Sequence, residues 1–509
     1  MKIRTFTLGL LASSAFTLPG VAYAQDPTMP SAATQDNAAP AESDADVVVP
    51  AEAPASNEDL AAKAAFLEAQ VEALQEQVDS LKTQMTKATP TWKGGPQFED
   101  KDSGFSFKPK GFMQFDAGYV GIPGPTRNGT VGGLNYNNLG WNTRARRLVF
   151  GAEGSLPGGF GYKFELNLAQ ATVDYEDIVL TYQRPGKPLQ VTMGNFYPLS
   201  SLETMTSSRL GSFLERAAFT DAFVYNRRLG IAVGLVDPAD RYTLTAGVWS
   251  GEINNTGFNR TGWQASIRGT YSPTLGSARL HLGANFQHRV AQRDMQNVQY
   301  RSRPFTQITD QRFVDTGLIA ADGDDTAGIE LGAVMKSLHV VAEAQQVWVR
   351  GLRSTHVFGA NNGTNGAAFY AGNPNFQSGY VELGYYLTGE TRGYKGGKWD
   401  RTKVLHPFDQ GGWGAIQVNG RVDYLDLKDK VGNGGLLGAP DYVNGGKQLG
   451  YELSVIWNPM DYVRFMAQYA HVDVDGGPRA MTVNPTSTDP ANTRSYSFDT
   501  MAVRAQLEF

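Results

Sequence analysis

The chain closes on Thr500-Met501-Ala502-Val503-Arg504-Ala505-Gln506-Leu507-Glu508-Phe509. Met501, Val503, Ala505, Leu507 and Phe509 share one parity. Thr500, Ala502, Arg504, Gln506 and Glu508 share the other. A period of two with one apolar and one polar face is a half-buried strand. A soluble sandwich has no reason to finish a lipid-compatible strand on an aromatic terminus, whereas a membrane-spanning barrel presents such a face to lipid.

The same alternation recurs upstream. Tyr162, Phe164, Leu166 and Leu168 alternate with Lys163, Glu165 and Asn167. Val381, Leu383, Tyr385 and Leu387 alternate with Glu382 and Tyr386. Ile416, Val418, Val422 and Tyr424 oppose Gln417, Asn419, Arg421 and Asp423, and Val463, Phe465, Ala467 and Tyr469 oppose Arg464 and Gln468. Pro157-Gly158-Gly159, Arg184-Pro185-Gly186 and Asn458-Pro459 mark tight turns. Glycine-rich stretches such as His356 to Gln377 and Lys428 to Lys447 are long connections. Short turns at one end and long loops at the other belong to outer-membrane barrels. The expected fold is all-β: a transmembrane antiparallel β-barrel over residues 104–509. At roughly 25 residues per strand and connection it has about 16 strands, enough to enclose water.

Composition agrees. The 509 residues include 58 Gly, 22 Tyr, 26 Phe and 8 Trp, yet mean hydropathy is −0.33. There is no Cys, hence no disulfide frame and no thiolate metal site. A net charge of −5 argues against nucleic acid as a partner, so any attraction for anions is local.

Three segments precede the barrel. Lys2 and Arg4, the apolar run Phe6 to Leu18 and the small-x-small site Ala22-Tyr23-Ala24 read as a secretory signal over residues 1–24. Residues 25–56, rich in Ala, Pro, Asp and Ser, read as a disordered linker. Over residues 57–89, Leu60, Leu67, Leu74 and Leu81 repeat every seven residues, with Ala64, Val71, Val78 and Met85 four residues on. This a/d seam predicts a short helical coiled coil, capped near Ser56 and stopped by Pro90, and so an oligomer. A single amphipathic helix packed on a domain is the alternative.

Enzymatic readings find little support. His281, His288, His339, His356, His406 and His471 are scattered, without zinc-type spacing, and no Ser pairs with a His by sequence. Gly411-Gly412 matches no phosphate loop. Neither a cofactor nor a metal is expected.

Five stretches, in order, give the chain a family resemblance: Ser207-Ser208-Arg209 through Leu214-Glu215-Arg216; Tyr300-Arg301-Ser302-Arg303-Pro304; Val314-Asp315-Thr316-Gly317; Tyr386-Leu387-Thr388-Gly389-Glu390; and Gly411-Gly412-Trp413-Gly414-Ala415. From Gly104 to Phe509 the sequence resembles the phosphate-selective porins O and P. The resemblance implies a homotrimer of 16-stranded barrels in the bacterial outer membrane, the coil lying in the periplasm. It also implies pores narrowed by infolded loops and lined by Arg and Lys that conduct anions, phosphate or polyphosphate among them. Outer-membrane lipid and lipopolysaccharide would surround it. The alternatives are a weakly selective general porin, or an envelope tether whose pore is incidental.

Arginine suits oxyanions because its planar fork matches two oxygens. Arg209 and Arg216 fall on the loop that the resemblance assigns to the constriction. Solvated charge, or pairing with Glu203, Glu215 or Asp221, is the alternative. Arg289, Arg293, Arg301 and Arg303 form a second basic cluster, with Asp294 and Asp310 as the only acids from Arg289 to Arg312. An extracellular loop binding lipopolysaccharide phosphates is the competing reading. Arg147 faces inward if Leu148 and Phe150 face lipid, and Arg144 and Arg146 are equally compatible with the outer surface. Arg392, Lys395, Lys398, Arg401 and Lys403 suggest a basic funnel at the mouth.

Overall fold

The computed structural model describes residues 57–88, 91–92, 95–100, 103–123, 139–169, 173–250, 262–293, 295–352, 366–432 and 440–509. The expected signal segment and linker lie outside them. Helix α1, Asn57–Ala88, covers the heptad segment. Its seam residues Leu67 and Leu74 are 56% and 59% exposed.

Sixteen strands build one closed antiparallel wall. The first eight are β1 Phe105–Val120, β2 Gly140–Leu156, β3 Phe160–Asn167, β4 Asp174–Gln183, β5 Leu189–Phe196, β6 Arg228–Val236, β7 Tyr242–Trp249 and β8 Trp263–Tyr271. The others are β9 Ala278–Val290, β10 Ile319–Met335, β11 Leu338–Gly351, β12 Asn375–Tyr386, β13 Ala415–Lys430, β14 Tyr442–Met460, β15 Val463–Asp475 and β16 Ser495–Glu508. Strands adjacent in the chain are adjacent in the wall, and β16 returns to β1, pairing Thr500 with Val120 through Glu508 with Phe112. Closure leaves no strand edge, which lipid would not tolerate.

The terminal aromatic completes the seam. Gly111 and Phe509 exchange backbone hydrogen bonds of 3.0 and 3.1 Å, and the Phe509 ring sits 5.9 Å from Phe150. A Cβ at position 111 would lie 2.5 Å from Phe509 Cζ. Glycine there is what lets the final ring seat.

Along most of each strand the alternation holds: Met501, Val503 and Leu507 are exposed, while Thr500, Arg504, Gln506 and Glu508 are buried. Near the long-loop end it inverts. On β15 and β16 the outward residues become His471, Asp473 and Asp499, joined by a 2.8 Å His471–Asp499 contact. The inward residues become Val472, Val474, Tyr496 and Phe498, all buried. The wall here rises past the apolar band, so polar groups face out and the interior must be filled.

Two long connections fill it. Loop 197–227 carries Leu202, Phe213, Leu214, Phe219 and Phe223, and loop 291–318 carries Tyr300, Phe305, Ile308 and Phe313; all are buried. Phe219 stacks on Tyr380 at 6.0 Å, and Phe313 packs on Phe498 at 4.4 Å. Apolar side chains on a loop leave water only by folding inward, which sets the path of both segments.

Candidate functional site

Loop 197–227 is bolted to one side of the barrel by its own backbone. Glu343 accepts from the amides of Leu202 (2.8 Å) and Glu203 (2.9 Å), which open the short helix α2, Leu202–Met205. Asp423 accepts from Ala218 N at 2.9 Å, at the start of α3, Ala218–Ala222. Gln468 accepts from Leu214 N at 2.7 Å. Arg464 donates to the carbonyls of Arg209 and Gly211. These anchors come from β11, β13 and β15, while the cavities beside the loop are lined from β2 to β8.

Two β-bulges double the charge on that side. Gln114 pairs with Arg147 but Phe115 pairs with Ala145, so Arg146 is the extra residue of β2. Arg146 and Arg147 therefore both point inward, although neighbours on a regular strand face opposite ways. Across β3 and β4 the register slips likewise between Phe164 and Leu166. Glu176 and Asp177 both reach Arg227.

Arg146 holds Glu215 by two bonds of 2.8 and 3.0 Å. Arg504 adds a third to Glu215 at 2.8 Å, while gripping Asp116 with two of 2.7 Å. Burial alone would raise the Glu215 carboxyl, but the Arg146 charge and its hydrogen bonds hold it below the ordinary carboxylate range. The clamp fixes the loop at position 215 and presents the next residue, Arg216, to the lumen.

A cavity of about 130 Å³ opens there, lined by Arg146, Arg147, Arg216, Arg303, Tyr197 and Asp221 among others. Arg147 donates to Gln114 at 2.8 Å, and Arg216 donates to the Thr206 carbonyl at 2.6 Å and lies over Tyr197. Neither guanidinium pairs with a carboxylate among the described residues. Thr204, Thr220, Ser302 and Thr306 also line the basin, their hydroxyls hydrogen-bonded within the loops. Below, a chamber of about 430 Å³ shares Tyr197, Thr204 and Arg216 with this basin.

The floor of that chamber is a hairpin within residues 387–414, Gly393–Lys395 paired to Lys398–Asp400. It enters from the short-turn end, not as a funnel among the long loops. Trp399 is buried beneath Arg392, 4.7 Å from its ring, and Arg268 donates to the Gly397 carbonyl at 2.8 Å. The hairpin tip reaches across to Asp240, which accepts from Gly396 N at 2.8 Å. A glycine pair at the tip allows this: Gly396 and Gly397 have φ of 57° and 74°.

The arginines singled out in the sequence fall into distinct surroundings. Arg147 and Arg216 meet in the basin. Arg303 lines it too, facing Asp221 (3.4 Å) and Asp310 (3.2 Å). Arg209 sits lower, paired with Glu508 at 3.1 Å and lying over Phe112. Arg289 is buried under Tyr225 and neutralised by Asp324. Arg293 and Arg301 are exposed. The local basic excess around residue 300 is thus offset by Asp221 and Asp324, acids from outside that window. Arg144 and Arg146, left open between pore and outer surface, both turn inward, Arg144 to the Gln307 carbonyl at 2.5 Å. The inward turn of Arg146 is set by a bulge, which has no signature in alternation.

A closed wall of this size, with charged residues inside and loops folded through the lumen, defines a porin-type channel protein. The chain belongs to the phosphate-selective porin O and P family, whose profile matches residues 130–509. That family places it in the outer membrane. It is 32% identical over 550 aligned residues, covering 100% of this chain and 96% of the relative, to an uncharacterized protein of Caulobacter vibrioides. It is 26% identical over 401 residues to Porin O of Pseudomonas aeruginosa, covering 75% of this chain and 86% of that one. Among solved structures, the outer membrane channel DcaP of Acinetobacter baumannii aligns with a TM-score of 0.45 at 14% identity, over 81% of this chain and 99% of that one.

Proposed function

We infer that the protein is an anion-preferring, water-filled channel that takes up phosphate-class oxyanions. The observation that carries this reading is the convergence of Arg147 and Arg216, both without a carboxylate partner among the described residues, on one basin. A narrow, low-dielectric passage focuses their field, and their N–H groups replace water lost by an entering oxyanion. The test is block of chloride current by phosphate across planar bilayers. Half-block at millimolar phosphate or below supports the reading, and a current indifferent to phosphate sinks it.

The exposed seam of α1 supports association of copies through a coiled coil, here assigned to the periplasm, with the barrels forming a homotrimer. Lipopolysaccharide would meet the polar outer rim around His471 and Asp499.

A further inference from the structure

The lower chamber is lopsided. Its inward residues on β5, β6 and β7 include Gln190, Thr192, Ala232, Val236, Thr243 and Thr245, none of them charged. The cations lie elsewhere, and most are already paired: Lys163 with Asp177 at 2.7 Å, Arg209 with Glu508 at 3.1 Å, and Arg268 with Glu330 at 2.6 Å. Arg216 at the upper mouth and Lys398 on the hairpin form no ion pair among the described residues. Between these two ends, Val179, Phe196 and Leu199 add apolar surface.

A bare dianion gains little from such a wall. It must shed water on that side and finds a few hydroxyls in return. A phosphate ester fits the asymmetry, with its charged head at Arg216, in reach of both cavities, and an uncharged body along β5 to β7. We propose that the channel favours small phosphate monoesters with an uncharged body over inorganic phosphate. This rests on the basin of Arg147 and Arg216 being the anion site.

The test uses the full chain in planar bilayers and compares block of chloride current by inorganic phosphate, glycerol phosphate and phenyl phosphate. At about pH 8 all three are dianions. Removing roughly 50–60 Å² of the ester body from water is worth about tenfold in binding, so at least one ester should half-block at about a tenth of the phosphate concentration. The glycerol and phenyl arms separate hydroxyl contacts from apolar ones. Thr192→Trp, which fills the uncharged side, should erase the ester advantage and leave phosphate block unchanged. Phosphate blocking as well as or better than both esters overturns the proposal while leaving the anion reading intact. No block by any of the three, with a cation-side reversal potential, removes the anion reading itself.

Discussion

Consider replacing Arg147 and Arg216 together with Gln. Both side chains line the same basin, and neither has a carboxylate to release when its charge is removed. Gln keeps part of the reach and some donor capacity, so the change is chiefly electrostatic. At about 6 Å, and an effective dielectric near 40, one unit charge contributes roughly 1.4 kcal/mol to a passing monoanion, about tenfold in occupancy. The pair should therefore weaken phosphate block about 100-fold, with each single variant near tenfold. Arg241→Gln is the control. Arg241 lies outside the basin lining, with a side chain 68% exposed beside Asp237, so water and salt screen its charge and block should fall less than about threefold. The assay is titration of chloride current with phosphate at fixed ionic strength. If Arg241→Gln matched or exceeded the double variant, position in the basin would not matter and the reasoning would be wrong.

Gly111→Val should force Phe509 out of its seat at a cost of about 1–3 kcal/mol, and heat-modifiable barrel in the membrane fraction should drop; wild-type levels would contradict the seam's role. Glu215→Gln should free loop 197–227 from its clamp, costing about 3 kcal/mol, the low end for a broken buried pair because Arg504 keeps Asp116. Faster tryptic cleavage within the loop is the readout, and unchanged protection would count against the clamp. The Glu215 carboxyl is held below its ordinary value, so its contribution is full above about pH 4.3 and is lost only as pH falls below that. Single-channel conductance should therefore be steady from neutral to about pH 5, and a loop-dependent change near pH 6 would refute this. Leu67→Ser with Leu74→Ser should lower the oligomer's dissociation temperature in mild detergent without altering single-channel conductance; an unaltered dissociation temperature would argue for an isolated helix.

The wall was legible in the sequence because side-chain parity in a strand follows from backbone geometry alone. Phe465 against Arg464 and Met501 against Arg504 needed no neighbours to be assigned. The site was harder to read. Whether an arginine is free depends on acids remote in the chain: Arg146 and Glu215 are 69 residues apart, and Arg303 and Asp221 are 82 apart. Arg147 and Arg303 look alike in sequence and differ only in these partners. The bulge beside Gln114 reverses the parity of β2 between Arg146 and Arg147, so a regular count puts Arg146 on the outer face. Glycine pairs that read as turns, such as Gly396-Gly397, in fact tip a hairpin across the lumen, and the apolar loop residues Phe219 and Phe313 declare their inward fold only once the barrel around them is known.

Anion preference requires that positive charge facing the lumen outweigh the protein's overall net charge of −5. The reversal potential of the purified full chain in a KCl gradient measures this directly, with no assumption about which anion is preferred. The structure predicts a potential on the chloride side that moves toward zero in the Arg147→Gln, Arg216→Gln variant. A wild-type potential at zero, or on the potassium side, would contradict it.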